Sequence, residues 1–316
     1  MKKRLLTILM ILMLLLSLMP AQAFAEKPEA DGGLKYLNIG DSIAAGLSAL
    51  PYEEDYFAQY AGYLGEETLY RAYNGPGELP NLPMSWTDGA VNLGFPGLDS
   101  MELLTALTYD SGMQYFVSEA DVITISIGGN NLLTPVIEAT YALYPDFYLS
   151  PGDTFEEQLM AAIITGGEDE WNENLEDFIA SALSSDVPSL GWMLETRTAQ
   201  FLKDWPAILD QIELLNPDAH IIAMTLYNPI EKEDNEALYN RYEALVGPMN
   251  MAIKNSGDGI LVAEVAEKFL KKPDAVAFRL SWLEEMPPVL VDPHPTTLGH
   301  KLIFKEIKKL GNPSSF

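Results

Sequence analysis

Short apolar runs rich in β-branched residues alternate along this chain with stretches of helical periodicity, and that alternation restricts the fold more than any other feature. The runs stand at residues 34–39, 90–93, 122–127, 220–226 and 260–263, each bounded by turn-forming residues. Between them, Tyr56, Tyr60 and Tyr63 share one helical face, as do Leu103, Leu104 and Leu107. A further helix over 201–215 is predicted to stop at Asn216-Pro217. Strands alternating with helices predict βαβ units around a mainly parallel sheet. At this level a flavodoxin-like sheet and an α/β-hydrolase sheet are both open.

The segment from about 132 to 198 is too long for a plain strand-to-helix connection, which takes a few residues. Leu159, Ile163, Phe178, Ile179 and Leu183 give it apolar faces of its own. Residues 151–200 hold eleven Asp or Glu against one Arg, so the outer surface of this helical insertion is expected to be acidic. The Gly- and Pro-rich stretch 74–88 is expected to be an irregular loop.

The N-terminus has the pattern of a secretory leader: Lys2, Lys3 and Arg4, then an apolar run over 5–19, then the small-x-small triplet Ala23-Phe24-Ala25. Cleavage is expected before Glu26, with Ala23 as the other candidate end. The division is thus a signal peptide over 1–25 and one hydrolase-sized domain over 26–316, secreted and monomeric. No later stretch is apolar and long enough to span a bilayer. With no cysteine in the chain, lipid attachment at cysteine, disulfides and thiol chemistry are excluded. The formal charge is −27; losing the three basic residues of the leader leaves 16 basic against 46 acidic, or −30. Such a field excludes nucleic acid as a partner and disfavours anionic lipid surfaces and polyanionic substrates.

Four short patterns carry chemistry. In Leu37-Asn38-Ile39-Gly40-Asp41-Ser42-Ile43 a strand stops at Gly40 and a helix can begin, which puts Ser42 at the carboxyl edge of a parallel sheet, where such sheets bind ligands. The same residues also make an ordinary helix N-cap. Asn92-Leu93-Gly94-Phe95-Pro96-Gly97 again follows a strand; Gly97 can bring a bare backbone N–H close to an anionic oxygen, or simply turn the chain. Gly128-Gly129-Asn130-Asn131 follows a third strand and offers a side-chain amide as a hydrogen-bond donor, or a turn built on Asn. Asp292-Pro293-His294-Pro295 holds a histidine between two prolines with a carboxylate two residues earlier. Of the three histidines, His220 opens a strand and His300 lies in the helix after Pro295 as a surface or packing residue, so His294 is the general-base candidate.

Together, in this order and each behind a strand, the four blocks resemble the nucleophile, glycine, asparagine and histidine blocks of the SGNH (GDSL-type) hydrolases, over residues 34–300. The resemblance implies a flavodoxin-like three-layer α/β sandwich with a central parallel sheet, and a serine esterase or lipase. It implies Ser42 as nucleophile, His294 as base, Asp292 as third triad member, and an oxyanion hole from the Ser42 and Gly97 N–H groups and the Asn130 amide. No cofactor and no metal are implied. The substrate class is a small-molecule, lipid or carbohydrate ester. Two departures stand out: Asn131 occupies a place where the family usually has Asp, and Asp292 stands two residues before the histidine where three is common. Some members orient the histidine with a backbone carbonyl instead.

Rival readings have weaker support. An α/β-hydrolase elbow reads G-x-S-x-G, whereas this chain has Gly40-Asp41-Ser42-Ile43-Ala44 after its first strand. A metallohydrolase lacks a third ligand near His294 and His300. A secreted carbohydrate- or lipid-binding protein on the same fold, without catalysis, is the alternative from another class. The tyrosines at 52, 56, 60, 63, 70 and 73 fit either sugar stacking or a core stripe.

Overall fold

Six strands form one sheet in the computed structural model, which describes residues 33–49, 51, 54–73, 86–143, 177–233, 235–276 and 293–311. In chain order the elements are β1 (Lys35–Gly40), α1 (Ser42–Ala45), α2 (Tyr56–Leu64), β2 (Thr68–Arg71), β3 (Gly89–Gly94), α3 (Ser100–Tyr109), α4 (Ser111–Glu119), β4 (Val122–Ser126) and α5 (Gly129–Leu143). They continue with α6 (Leu190–Leu215), β5 (His220–Met224), α7 (Glu236–Lys254), β6 (Ile260–Ala263), α8 (Val265–Phe269), a 3-10 turn at Pro273–Ala275 and α9 (Thr297–Lys309). Spatial order is β2-β3-β1-β4-β5-β6, and every pairing is parallel. With the short edge strand β2 set aside, the order is that of a flavodoxin-like doubly wound sheet.

Because successive strand residues face opposite sides, the sheet buries two separate clusters. Leu37, Ile39, Val91 and Ile123 pack on one side against Leu103, Phe116, Phe201 and Ile208 from α3, α4 and α6. Tyr36, Ala90, Val122 and Ile222 pack on the other against Tyr56, Phe57 and Tyr60 of α2 and Ile303 and Ile307 of α9. Two helical layers around a covered sheet make the expected three-layer sandwich.

The tyrosine stripe belongs to this core. Tyr56 and Tyr60 are fully buried and Tyr70 nearly so, Tyr36 meets Tyr60 edge-on at 5.2 Å, and Tyr63 stacks on Tyr60 at 6.0 Å. Tyr63 and Tyr73 are only partly buried. Tyr52 lies outside the described residues.

Two elements depart from expectation. Strand β2 is largely exposed, and its sequence, TLYR, carries no apolar run to announce it. Helix α6 begins at Leu190, well before the expected 201, because Ser189 caps it by accepting from the Trp192 N–H and its early turns bury Leu190, Gly191 and Leu194. The end of the insertion is therefore the first half of a core helix. Residues 177–183 of the insertion are helical, while 144–176 lie outside the described residues, as do residues 1–25, where the leader is expected. Among the described residues no helix is long and apolar enough to cross a membrane.

Candidate active site

The central strand β1 ends at Gly40 with φ +133°, and a Cβ there would sit 1.8 Å from the Ser126 carbonyl oxygen, so only glycine fits. The Asp41 N–H donates to that same oxygen at 2.9 Å. Asp41 then caps α1, its Oδ1 accepting from the Ile43 N–H at 3.0 Å, and Gly46 in left-handed geometry closes the turn. Ser42 is the first residue of this single-turn helix, buried at the carboxyl edge of the sheet. The Asp41 N-cap and the serine at the sheet edge are thus one structure.

Beneath the turn lies a polar layer that sequence reading passed over. Asn38, Asn92 and Thr124 stand in register across β3, β1 and β4. The Asn38 and Asn92 amides both donate to the Ala44 carbonyl, each at 2.8 Å, and so clamp α1 from below. Asn38 Oδ1 in turn accepts from the hydroxyls of Tyr56 and Thr124, each at 2.7 Å, and Asn92 Oδ1 accepts from the Gly94 N–H at 2.8 Å. Each bond contributes roughly 1 kcal/mol net. Asparagine is depleted in strands, so two in covered strands were the available signal.

The other two strand ends lie on either side. After β3 the Phe95 N–H donates to the Gly40 carbonyl at 2.9 Å, and Gly97 turns with φ +87° and open space where a Cβ would point. After β4, Gly128 adopts φ +114° with its Cα against Phe201, and α5 starts at Gly129. Asn130 Nδ2 donates to the Leu98 carbonyl at 3.0 Å, tying this strand end to the Gly97 turn. Asn131 faces elsewhere: fully buried, it accepts from the Ser100 N–H at 3.1 Å and donates to Ser100 Oγ at 2.8 Å. Ser100 Oγ then donates to Asp204 at 2.7 Å, and Gln200 to the other oxygen of Asp204 at 2.6 Å. Adjacent on one helix, the two asparagines serve different faces.

His294 arrives from the far end of the chain on a loop held at several points. The Tyr227 hydroxyl donates to the Pro293 carbonyl at 2.5 Å, Pro295 bridges Val276, and Thr296 both donates through its N–H to the Ala275 carbonyl at 2.8 Å and caps α9. His294, Ser42, Asn130, Asp41 and Gly129 line one cavity. Gly97 does not line it; its turn reaches the site through the Leu98–Asn130 bond. Asp292 lies outside the described residues.

The remaining histidines are structural. His300 is fully buried, stacks on Tyr56 at 5.9 Å, bonds through Nε2 to the Leu47 carbonyl at 2.9 Å and accepts at Nδ1 from the Tyr56 N–H at 3.5 Å. Burial pushes its pKa down. Of surface or packing residue, it is therefore the latter. His220 opens β5 and is likewise lowered by burial. Among the described residues no group of three His, Cys, Asp or Glu side chains could hold a metal ion.

Electrostatically the site centres on Asp41, only 1 % exposed, whose pKa burial raises to about 6. The Ile43 and Ala44 N–H groups, Ser126 and the charge of His294 act in the opposite direction. Among the described residues its Oδ2 has no hydrogen-bond partner.

No family model and no curated protein sequence matches the chain. Solved structures do. The lipase Lip_vut3 from a goat rumen metagenome shares the fold at TM-score 0.50 and 16% identity, over 88% of this chain and 98% of that one. The phospholipase A1 from Streptomyces albidoflavus NA297 does so at TM-score 0.51 and 13% identity, over 89% of this chain and 100% of that one. The chain shares the fold of these two structures.

Proposed function

We propose that the protein is a secreted serine hydrolase that cleaves carboxylic esters through an acyl-enzyme. One observation carries this reading: Ser42, Asn130 and His294, from three segments far apart in sequence, line one cavity at the carboxyl edge of the sheet. Similarity of fold to a lipase and a phospholipase A1 agrees with it.

In the proposed mechanism Ser42 Oγ attacks the ester carbonyl carbon while its proton passes to the His294 imidazole. The oxyanion receives hydrogen bonds from the Ser42 N–H group and from the Asn130 amide, each donor being worth roughly 3 kcal/mol in the transition state, while the Gly97 turn acts through the Leu98 carbonyl that holds Asn130. Asn130 already spends one amide hydrogen on Leu98, which fixes the amide plane and leaves the second hydrogen to donate. As the tetrahedral species collapses, the bond to the alcohol oxygen breaks and the imidazolium returns its proton to that oxygen. Water then attacks the acyl carbon, gives a proton to His294, and Ser42 leaves with it, releasing the carboxylic acid. Asp292 is proposed to hold the imidazole in the productive tautomer.

Ser42→Ala and His294→Ala should each lower kcat on a p-nitrophenyl ester by roughly 10³-fold or more without a loss of Tm. Full turnover by folded Ser42→Ala would remove the assignment. His300→Ala cannot serve as the neutral control, because its ring is part of the core. Export is proposed to follow cleavage before Glu26, and the N-terminal sequence of protein recovered from culture medium tests that.

A further inference from the structure

We propose that the acyl group this site accepts is short, about two to four carbons, and that Val136 sets its upper limit. This rests on the ester-hydrolase reading above and names the substrate class within it. The cavity that contains Ser42 and His294 has a volume of about 50 Å³, whereas an adjoining cleft that shares Leu226 and Pro229 with it measures about 390 Å³ and a separate one about 420 Å³. One water-sized sphere needs roughly 10–15 Å³ of such space, so the cavity takes only a few non-hydrogen atoms beyond the reacting carbonyl.

Apart from the groups that do the chemistry, its walls are mostly apolar: Leu132, Leu133 and Val136 from α5, and Leu226, Pro229 and Tyr242 opposite. The helix that presents Asn130 therefore continues directly into the wall. A small apolar cavity suits the part of the substrate that stays bound through the acyl-enzyme, because the alcohol has to leave past His294 into water.

Nor can the walls retreat far. Leu132 and Leu226 belong to the main buried cluster, and Val136 and Tyr242 pack against it. Lengthening the cavity would displace core side chains, and close packing makes that costly. Val136 is only half-buried, so its size can be changed with less damage than that of Leu132.

The test is a series of p-nitrophenyl esters with a constant leaving group, from acetate through butyrate, hexanoate and octanoate to laurate. For the wild type, kcat/KM should peak at acetate or butyrate and fall at least about tenfold by octanoate. Val136→Ala should move the peak to hexanoate or beyond, and Val136→Phe should confine turnover to acetate. Both variants are checked for a wild-type-like Tm. A wild-type peak at octanoate or laurate overturns the proposal, as does an unmoved profile in both folded variants. Absence of turnover on every ester, with Ser42→Ala no different from wild type, would instead defeat the ester-hydrolase reading on which it stands.

Discussion

Asp41 carries its charge at a cost, because its carboxyl is buried beside Ser42 and its pKa is raised from 3.8 to about 6. A carboxyl raised in this way is more protonated in the native than in the unfolded chain between those two values. Its contribution to stability is complete below about pH 4 and lost as pH rises through 6. Asp41→Asn keeps an oxygen to accept from the Ile43 N–H and removes the charge. It should therefore raise Tm relative to wild type at pH 8, on a scale of about 3 kcal/mol, with the gap closing toward pH 4. Melting both proteins across that range checks it, and a gap that does not change with pH would contradict it. Sequence alone separated His294 from the other two histidines, since the two prolines mark a fixed backbone. It could not show that His300 is buried, because burial of that side chain depends on α2 packing over it.

At the scale of elements, the two asparagines that open α5 divide the work. Asn130→Ala should lower kcat roughly 10²-fold or more with little change in Tm. Asn131→Ala should do the reverse, costing roughly 1–3 kcal/mol of stability by leaving the buried Ser100 N–H without its acceptor, while kcat of the folded protein stays within a few-fold. Exchange of these two phenotypes would mean that the oxyanion donor is Asn131. Five of the six strands were legible because each carries an apolar run, in β6 only partly buried; β2 was not, being a short, exposed edge strand without one. The same covered runs concealed the Asn38–Asn92 clamp, since a polar residue inside an apolar strand acquires meaning only when its neighbour in the sheet is known. The start of α6 was hidden for a related reason: its first turns pack against partners distant in sequence rather than following a clean amphipathic stripe.

Over the whole molecule, the parallel sheet brings the ends of β3, β1 and β4 together at one edge, and the chain's last loop returns His294 to them. That convergence is what four short and individually weak sequence blocks encode, and their order along the chain mattered more than any one of them. The formal charge of −27 surrounds this edge with a field that favours neutral or cationic esters over anionic lipid surfaces. A nucleophilic serine is the claim on which the functional account depends. Fluorophosphonate labelling of the folded wild-type protein, followed by peptide mass mapping, tests it most directly. One covalent adduct on Ser42, absent from folded Ser42→Ala and strongly slowed in His294→Ala, is the predicted result. An unlabelled wild type, or an adduct that persists at another serine in Ser42→Ala at the same rate, would contradict it.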